Sequence, residues 1–119
     1  MLIAYDSKTG NVERFVGKLN VPSVKIEENM TIDEPFVLVT YTTGFGQPPE
    51  KVLHFLKRNY RRLAGVSASG NRNWGNNFAV SADRIARMYG VPVLTKFELS
   101  GTSRDVEQFM KEMSAVASY

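Results

Sequence analysis

A chain of 119 residues, 43% hydrophobic and 23% charged, has room for one domain, 1–119, and enough apolar side chains for a buried core. It contains no cysteine, which excludes disulfides, thiolate zinc sites, iron–sulfur clusters and cysteine nucleophiles. The formal net charge of +3 is too small an excess to assign a nucleic-acid or membrane partner. No apolar run reaches the roughly 18 residues of a membrane span, and Met1–Asp6 lacks the basic region of a signal peptide. The expectation is a cytoplasmic protein without nucleic-acid or membrane partners, in which nothing demands more than a monomer.

Leu2–Tyr5 is a short apolar segment that predicts a first strand, followed by the polar stretch Asp6–Asn11. Val12, Phe15, Val16 and Leu19 then recur at helical spacing, and Asn20 and Pro22 end that helix. Ser23–Ile26 fits a short second strand. Phe36–Tyr41 is the strongest strand signal, because its continuous β-branched apolar run suits a strand covered on both faces. After the loop Thr42–Pro49, Val52, Phe55, Leu56, Tyr60 and Leu63 mark a second helix. Ala64–Ser69 is poor in large residues and is assigned as a strand by its place in the alternation. The loop Gly70–Asn77 leads to a helix with Phe78, Ala82, Ile85 and Tyr89 on one side, stopped by Gly90 and Pro92. Val93–Leu99 gives a fifth strand, and Gly101–Ser103 opens a last helix striped by Val106, Phe109, Met110 and Met113. Strands alternating with helices imply a parallel sheet with helices on both faces, and the link between the second and third strands is the irregular one.

In such a sheet, ligands bind beyond the carboxyl ends of the strands, where three loops of suggestive content converge. Ser7, Lys8, Thr9, Gly10 and Asn11 offer hydroxyls, a glycine and free amides ahead of a helix, which suits a phosphate; the same residues also make an ordinary capped turn. Thr42–Pro49 holds Gly44 and Gly46 on either side of Phe45, so its backbone can lie against a flat ring, although prolines also serve merely to redirect a chain. Asn71–Asn77 carries the single tryptophan, Trp74, which needs covering by a planar ligand or by the protein's own surface. Phosphate, flat ring and donors for the ring's edge together describe a mononucleotide-like cofactor.

Competing motifs fail on inspection. Only Gly10 follows the first strand, where a dinucleotide fingerprint needs three spaced glycines. Gly65 and Gly70 have the outer spacing of a P-loop, but Asn71 and Arg72 replace its Lys-Ser/Thr pair. A receiver domain would place its acceptor Asp after the third strand, where Tyr41, Thr42 and Thr43 stand. His54 lies within a helix with no evident metal or triad partner, and no resident metal is expected.

Tyr5–Asn11, Val39–Gly46 and Gly70–Gly75 carry a resemblance to the NrdI family of flavodoxin-like proteins. The first segment is shared in style with all flavodoxins, and the third discriminates better. The resemblance implies a flavodoxin-like three-layer sandwich, with five parallel strands in the order 2-1-3-4-5. It also implies FMN as cofactor and the small, metal-radical subunit of a class Ib ribonucleotide reductase as partner. In that family the reduced flavin meets dioxygen and passes a superoxide-type oxidant to the partner's dimanganese site, so that its tyrosyl radical can form. By position, Ser7, Lys8, Thr9, Gly10 and Asn11 would surround the phosphate. Thr42, Thr43, Gly44 and Phe45 would border one side of the isoalloxazine, and Asn71, Asn73, Trp74 and Gly75 the other side and its pyrimidine edge. No side chain is expected to be catalytic. Gly44 is the candidate for a peptide that turns toward flavin N5, and a β-branched residue there should disfavour the one-electron-reduced state.

This chain is shorter than ordinary flavodoxins and basic where those are acidic. Negative charge around a flavin opposes its anionic reduced form, so its two reduction steps should lie close together. The electron donor is unidentified. A general electron-shuttle flavodoxin and a non-catalytic binding domain of the same fold are the alternatives.

Overall fold

The structure is a computed structural model that describes residues 1–44 and 46–117, and of Asn76 the backbone alone. Strands β1 (Leu2–Tyr5), β2 (Ser23–Lys25), β3 (Phe36–Tyr41), β4 (Leu63–Gly70) and β5 (Val93–Glu98) pair in parallel in the order β2-β1-β3-β4-β5. Helices α1 (Asn11–Gly17), α2 (Glu50–Asn59), α3 (Val80–Tyr89) and α4 (Ser103–Ala117) cover the two faces. The flavodoxin-like sandwich expected from the sequence is the observed architecture.

The period of two in β3 assigns its side chains to separate cores. Phe36 and Leu38 pack with Val52, Phe55, Leu56, Ala82 and Ile85 of α2 and α3. Val37 and Val39 pack with Val12, Phe15 and Val16 of α1 and Phe109 and Met113 of α4. All four β3 residues are wholly buried, which is why the run is apolar without alternation.

β4 is a full strand of eight residues, and its small side chains are a packing requirement. A Cβ on Gly65 would stand 3.1 Å from Leu94 Cδ2, and one on Gly70 would stand 2.5 Å from the backbone nitrogen of Ala79. The β4–β5 register shifts between Val66 and Ser67, and there Ser67 Oγ accepts the Thr95 N–H at 3.2 Å.

Several boundaries differ from the sequence expectation. α1 ends at Gly17, and Leu19 stays buried through tight turns in which the Lys18 and Leu19 amides donate to Phe15 and Val16 carbonyls. α2 ends at Asn59, so Tyr60 opens an exposed 3₁₀ turn (Tyr60–Arg62) and Leu63 starts β4. Phe78 precedes α3, and Leu99 follows β5 in a left-handed conformation with φ 54°.

The link from β2 to β3 contains no helix. Ile26 and Ile32 fill the core there instead, and buried Asn59 holds the segment from the end of α2. Its amide donates to the carbonyls of Met30 (3.0 Å) and Phe55 (2.9 Å), while its Oδ1 accepts the Ile32 N–H at 2.8 Å. One side chain satisfies backbone groups that a helix would otherwise pair internally.

Candidate functional site

At the carboxyl ends of β1, β3, β4 and β5 the loops enclose a cleft of about 370 Å³. It is lined by Lys8, Thr9, Asn11, Tyr41, Thr42, Thr43, Gly44, Ser69, Gly70, Asn71, Trp74 and Leu99. That volume lies within the range of small-molecule sites, roughly 300–1,000 Å³.

In the first loop Lys8, Thr9 and Asn11 reach the cleft, while Ser7 and Gly10 are not among its lining residues. Ser7 Oγ accepts the N–H groups of Gly10 (3.1 Å) and Glu13 (3.3 Å), so these two amides serve the loop rather than pointing free at an anion. The Ser7 hydroxyl proton is still available to donate. Gly10 has φ 90°, the left-handed conformation that starts α1. Asn11 bonds Thr9 Oγ1 and the Arg14 guanidinium, which sets the orientation of its amide.

The second loop is closed by Thr43 and Gln47, whose N–H groups each donate to the other's carbonyl at 2.8 Å. Thr43 Oγ1 also donates to the Gln47 carbonyl. Gly44 has φ 50°, and a Cβ there would meet nothing nearer than Gln47 Oε1 at 3.9 Å. The constraint at Gly44 is therefore its backbone conformation and not space, and a β-branched residue would be strained. Phe45, expected to border a ring, lies outside the described residues.

Below this loop, Thr42 Oγ1 donates to the Ser69 carbonyl (3.0 Å) and lies 2.8 Å from Ser81 Oγ, whose hydroxyl donates to the Tyr41 carbonyl at 3.1 Å. Two hydroxyls have two protons for these three contacts, so at any moment one contact lacks a proton. The group ties the ends of β3 and β4 to the first turn of α3. Thr40 Oγ1, one step deeper in β3, is buried without a hydrogen-bond partner among the described residues.

In the third loop Asn71 Oδ1 accepts the Asn73 N–H at 2.8 Å, and Gly75 (φ 56°, ψ −120°) kinks two successive 3₁₀ turns. The Arg72 N–H donates to Glu98, and its guanidinium lies over the Phe78 ring at 4.5 Å. These contacts brace the loop and leave Trp74 on the cleft with 42% of its surface exposed. Asn73 and Gly75 shape the turn and are not among the lining residues.

The sequence placed Gly70 at the start of the third ligand-facing loop and Tyr41 within a family segment without giving either a contact, and it did not point to Ser69 or Leu99. Leu99 is 54% exposed and, like Trp74, is a large apolar side chain on the cleft. Its left-handed backbone has no signature in a leucine. Lys8 is the one charged side chain among the described lining residues. Burial, and secondarily the charge of Asp6, pushes the Tyr41 phenol upward, so it stays neutral at ordinary pH. Asp6 itself is buried behind the cleft, 3.9 Å from Lys51 Nζ. Among the described residues there is no group of three or more His, Asp and Glu able to hold a metal ion, and no helix long and apolar enough to cross a membrane.

Comparison with known proteins bears on the fold and on the family. The family described as NrdI Flavodoxin like matches residues 3–111. Protein NrdI of Bacillus licheniformis is 56% identical over 117 residues, covering 96% of this chain and 88% of that one. Among solved structures, a short-chain flavodoxin associated with a non-canonical PDU bacterial microcompartment superimposes with a TM-score of 0.73 at 22% identity, over 98% of this chain and 95% of its own. The flavodoxin of Fusobacterium nucleatum, solved bound to flavin mononucleotide, gives 0.58 at 13% identity, over 98% and 96%. Both structural likenesses bear on the fold, whereas the family match and the close relative bear on descent: the chain belongs to the NrdI flavodoxin-like family.

Proposed function

We propose that the cleft holds FMN non-covalently and that the protein supports a class Ib ribonucleotide reductase by redox chemistry at that flavin. The observation that carries the reading is the composition of the cleft. Two exposed apolar side chains, Trp74 and Leu99, border a site otherwise lined by hydroxyls, amides, glycines and a single cation. A flat ring would cover the apolar pair, and an anionic phosphate would suit Lys8 with Thr9 and Asn11. The lining therefore fits the group, and the family membership supports it.

On this reading Lys8, Thr9 and Asn11, with the Ser7 hydroxyl behind them, hold the phosphate. Trp74 excludes water from one ring face. Asn71 and the backbone of Thr42, Thr43 and Gly44 offer donors and acceptors along the ring edge. The Thr42–Ser81 contacts keep the Thr43–Gln47 turn in place while the Gly44 peptide remains free to reorient. Bound FMN would supply one- and two-electron transfer and, when reduced, conversion of dioxygen to a superoxide-type oxidant. The recipient is the reductase small subunit, whose dimanganese-tyrosyl radical site would be assembled with that oxidant. Because no carboxylate is among the described lining residues, and Asp6, whose charge reaches Tyr41, has Lys51 beside it, full reduction meets less electrostatic opposition than in a cleft lined by acids.

Titration of FMN into the flavin-free chain, followed by Trp74 emission, tests the site. One equivalent should quench the emission, and Trp74→Ala should weaken flavin binding by about five- to tenfold, as expected for loss of one ring stack. Absence of binding would remove the proposal. Radical formation in the reductase subunit only when the reduced flavoprotein and dioxygen are both supplied would separate this function from general electron transfer.

A further inference from the structure

We propose that the corner formed by the carboxyl ends of α2 and α3, at the end of the sheet opposite the cleft, is a second docking surface that takes an acidic segment of a partner protein. Both helices run back against the parallel strands, so their last turns lie away from the loops that form the cleft. Lys57, Arg58, Arg61, Arg62 and Arg87 are exposed there. None is in an ion pair among the described residues, where the pairs are Lys51–Asp6 and Lys96–Asp83. Asp83 is the sole carboxylate between Lys51 and Phe97, and Lys96 engages it. The connection leading into β3 brings Asp33 and Glu34 toward the foot of the sheet, and neither forms an ion pair with the five cations.

Helix dipoles favour cations in the last turns of α2 and α3, which accounts for part of this pattern. They do not account for Arg61 and Arg62, which continue the run on the 3₁₀ turn beyond α2. The two helix ends are joined into one surface by Tyr60 and Tyr89, whose rings stack at 5.6 Å with 20° between their planes. The Arg61 guanidinium lies over the Tyr60 ring at 5.8 Å. Tyr60 is 43% exposed, yet its ring is already engaged by these two groups. Single-stranded nucleic acid draws much of its affinity from bases stacking on free aromatic faces, and this corner offers charge and hydroxyls instead. Carboxylates on a protein match that chemistry, with arginine forks as their partners. Because the corner and the cleft lie at opposite ends, an acidic partner held here leaves the cleft open to another.

Labelled poly-L-glutamate is the probe, with an oligo(dT) of similar charge as its competitor, measured by fluorescence anisotropy on the full chain. Polyglutamate should bind, with affinity falling as salt rises, and Arg61→Glu/Arg62→Glu should weaken it roughly tenfold or more. Lys8→Ala, at the cleft, should leave that affinity unchanged, and polyglutamate should not alter Trp74 emission. An unchanged unfolding midpoint in the double variant shows that the fold persists; Arg61→Gln/Arg62→Gln replaces it if it does not. Failure of wild type to bind polyglutamate, or equal binding by the double variant, overturns the proposal. Tighter binding of oligo(dT) than of polyglutamate also overturns it and assigns the corner to nucleic acid.

Discussion

Alanine at position 70 is expected to destabilise the chain by about 3 kcal/mol and to weaken ligand capture in the cleft in the same step. The added Cβ would stand 2.5 Å from the backbone nitrogen of Ala79 and 3.0 Å from its Cα. Neither is the end of a flexible side chain, so β4 and the start of α3 must move apart. Ala79 has little freedom to comply, because it already sits at φ 50° immediately before α3. Displacement of α3 also pulls Ser81 from Thr42 and the Tyr41 carbonyl, and with them the footing of the Thr43–Gln47 turn. Urea unfolding and FMN titration on the same variant check both halves. A midpoint like wild type would show that the junction is looser than its contacts indicate, and weak flavin binding with full stability would confine the effect to the cleft.

A larger loss of stability, about 3–5 kcal/mol, is expected for Phe15→Ala, with a different signature. Phe15 is wholly buried, stacked on Phe97 at 3.9 Å and set edge-on to Phe109 at 5.7 Å. Gly101 closes over it so tightly that a Cβ there would meet Phe15 Cδ1 at 2.6 Å. The cavity left by alanine therefore lies among β5, α1 and α4, in a core cluster to which Trp74, Thr42 and Ser81 do not belong. Against a typical total of about 5–15 kcal/mol, that loss is a large share of the chain's stability. The molecules that remain folded should still bind FMN with nearly native affinity, and saturating flavin should recover part of the midpoint by mass action. Calorimetry with and without FMN separates this outcome from a damaged cleft, in which added flavin would recover nothing.

These two positions also show what could be read in advance. Phe15 belongs to a helical stripe, and burial follows directly from its spacing. β3 was equally plain, since a run buried on both faces leaves an unbroken apolar signature. β4 was obscured because its faces are pressed by Leu94 and Ala79, and close approach selects glycine and alanine rather than the β-branched residues that advertise a strand. Tyr60 and Leu63 continued the helical period past the true end of α2, so pattern alone overran the boundary.

At the cleft, the glycine, asparagine and tryptophan loops were visible because their chemistry is unusual. Of the residues named there, Lys8, Thr9, Asn11, Thr42, Thr43, Gly44, Asn71 and Trp74 line it. Leu99 was not visible, since its place depends on a positive φ that leucine does not encode. Ser69 was hidden along with its strand, and Gly70, read as the start of a loop, is the last residue of that strand. Asn59 gave no sign of its role, because its three partners lie partly in a connection nearly thirty residues earlier.

That last feature bears on the order of events in folding. A crossover built as a helix can form its own hydrogen bonds early, from local contacts alone. The segment between β2 and β3 has one local turn, in which the Met30 N–H donates to the Glu27 carbonyl at 3.2 Å, but the Met30 carbonyl and the Ile32 N–H need a side chain from the far end of α2. Formation of those two bonds waits on loop closure over 27 to 29 residues, and on α2 already being in place. The edge strand β2 is consequently a late arrival and the first part to detach. The Ile32 amide should exchange with solvent in step with β2 and well before the amides of β3, whose neighbours on both sides are strands.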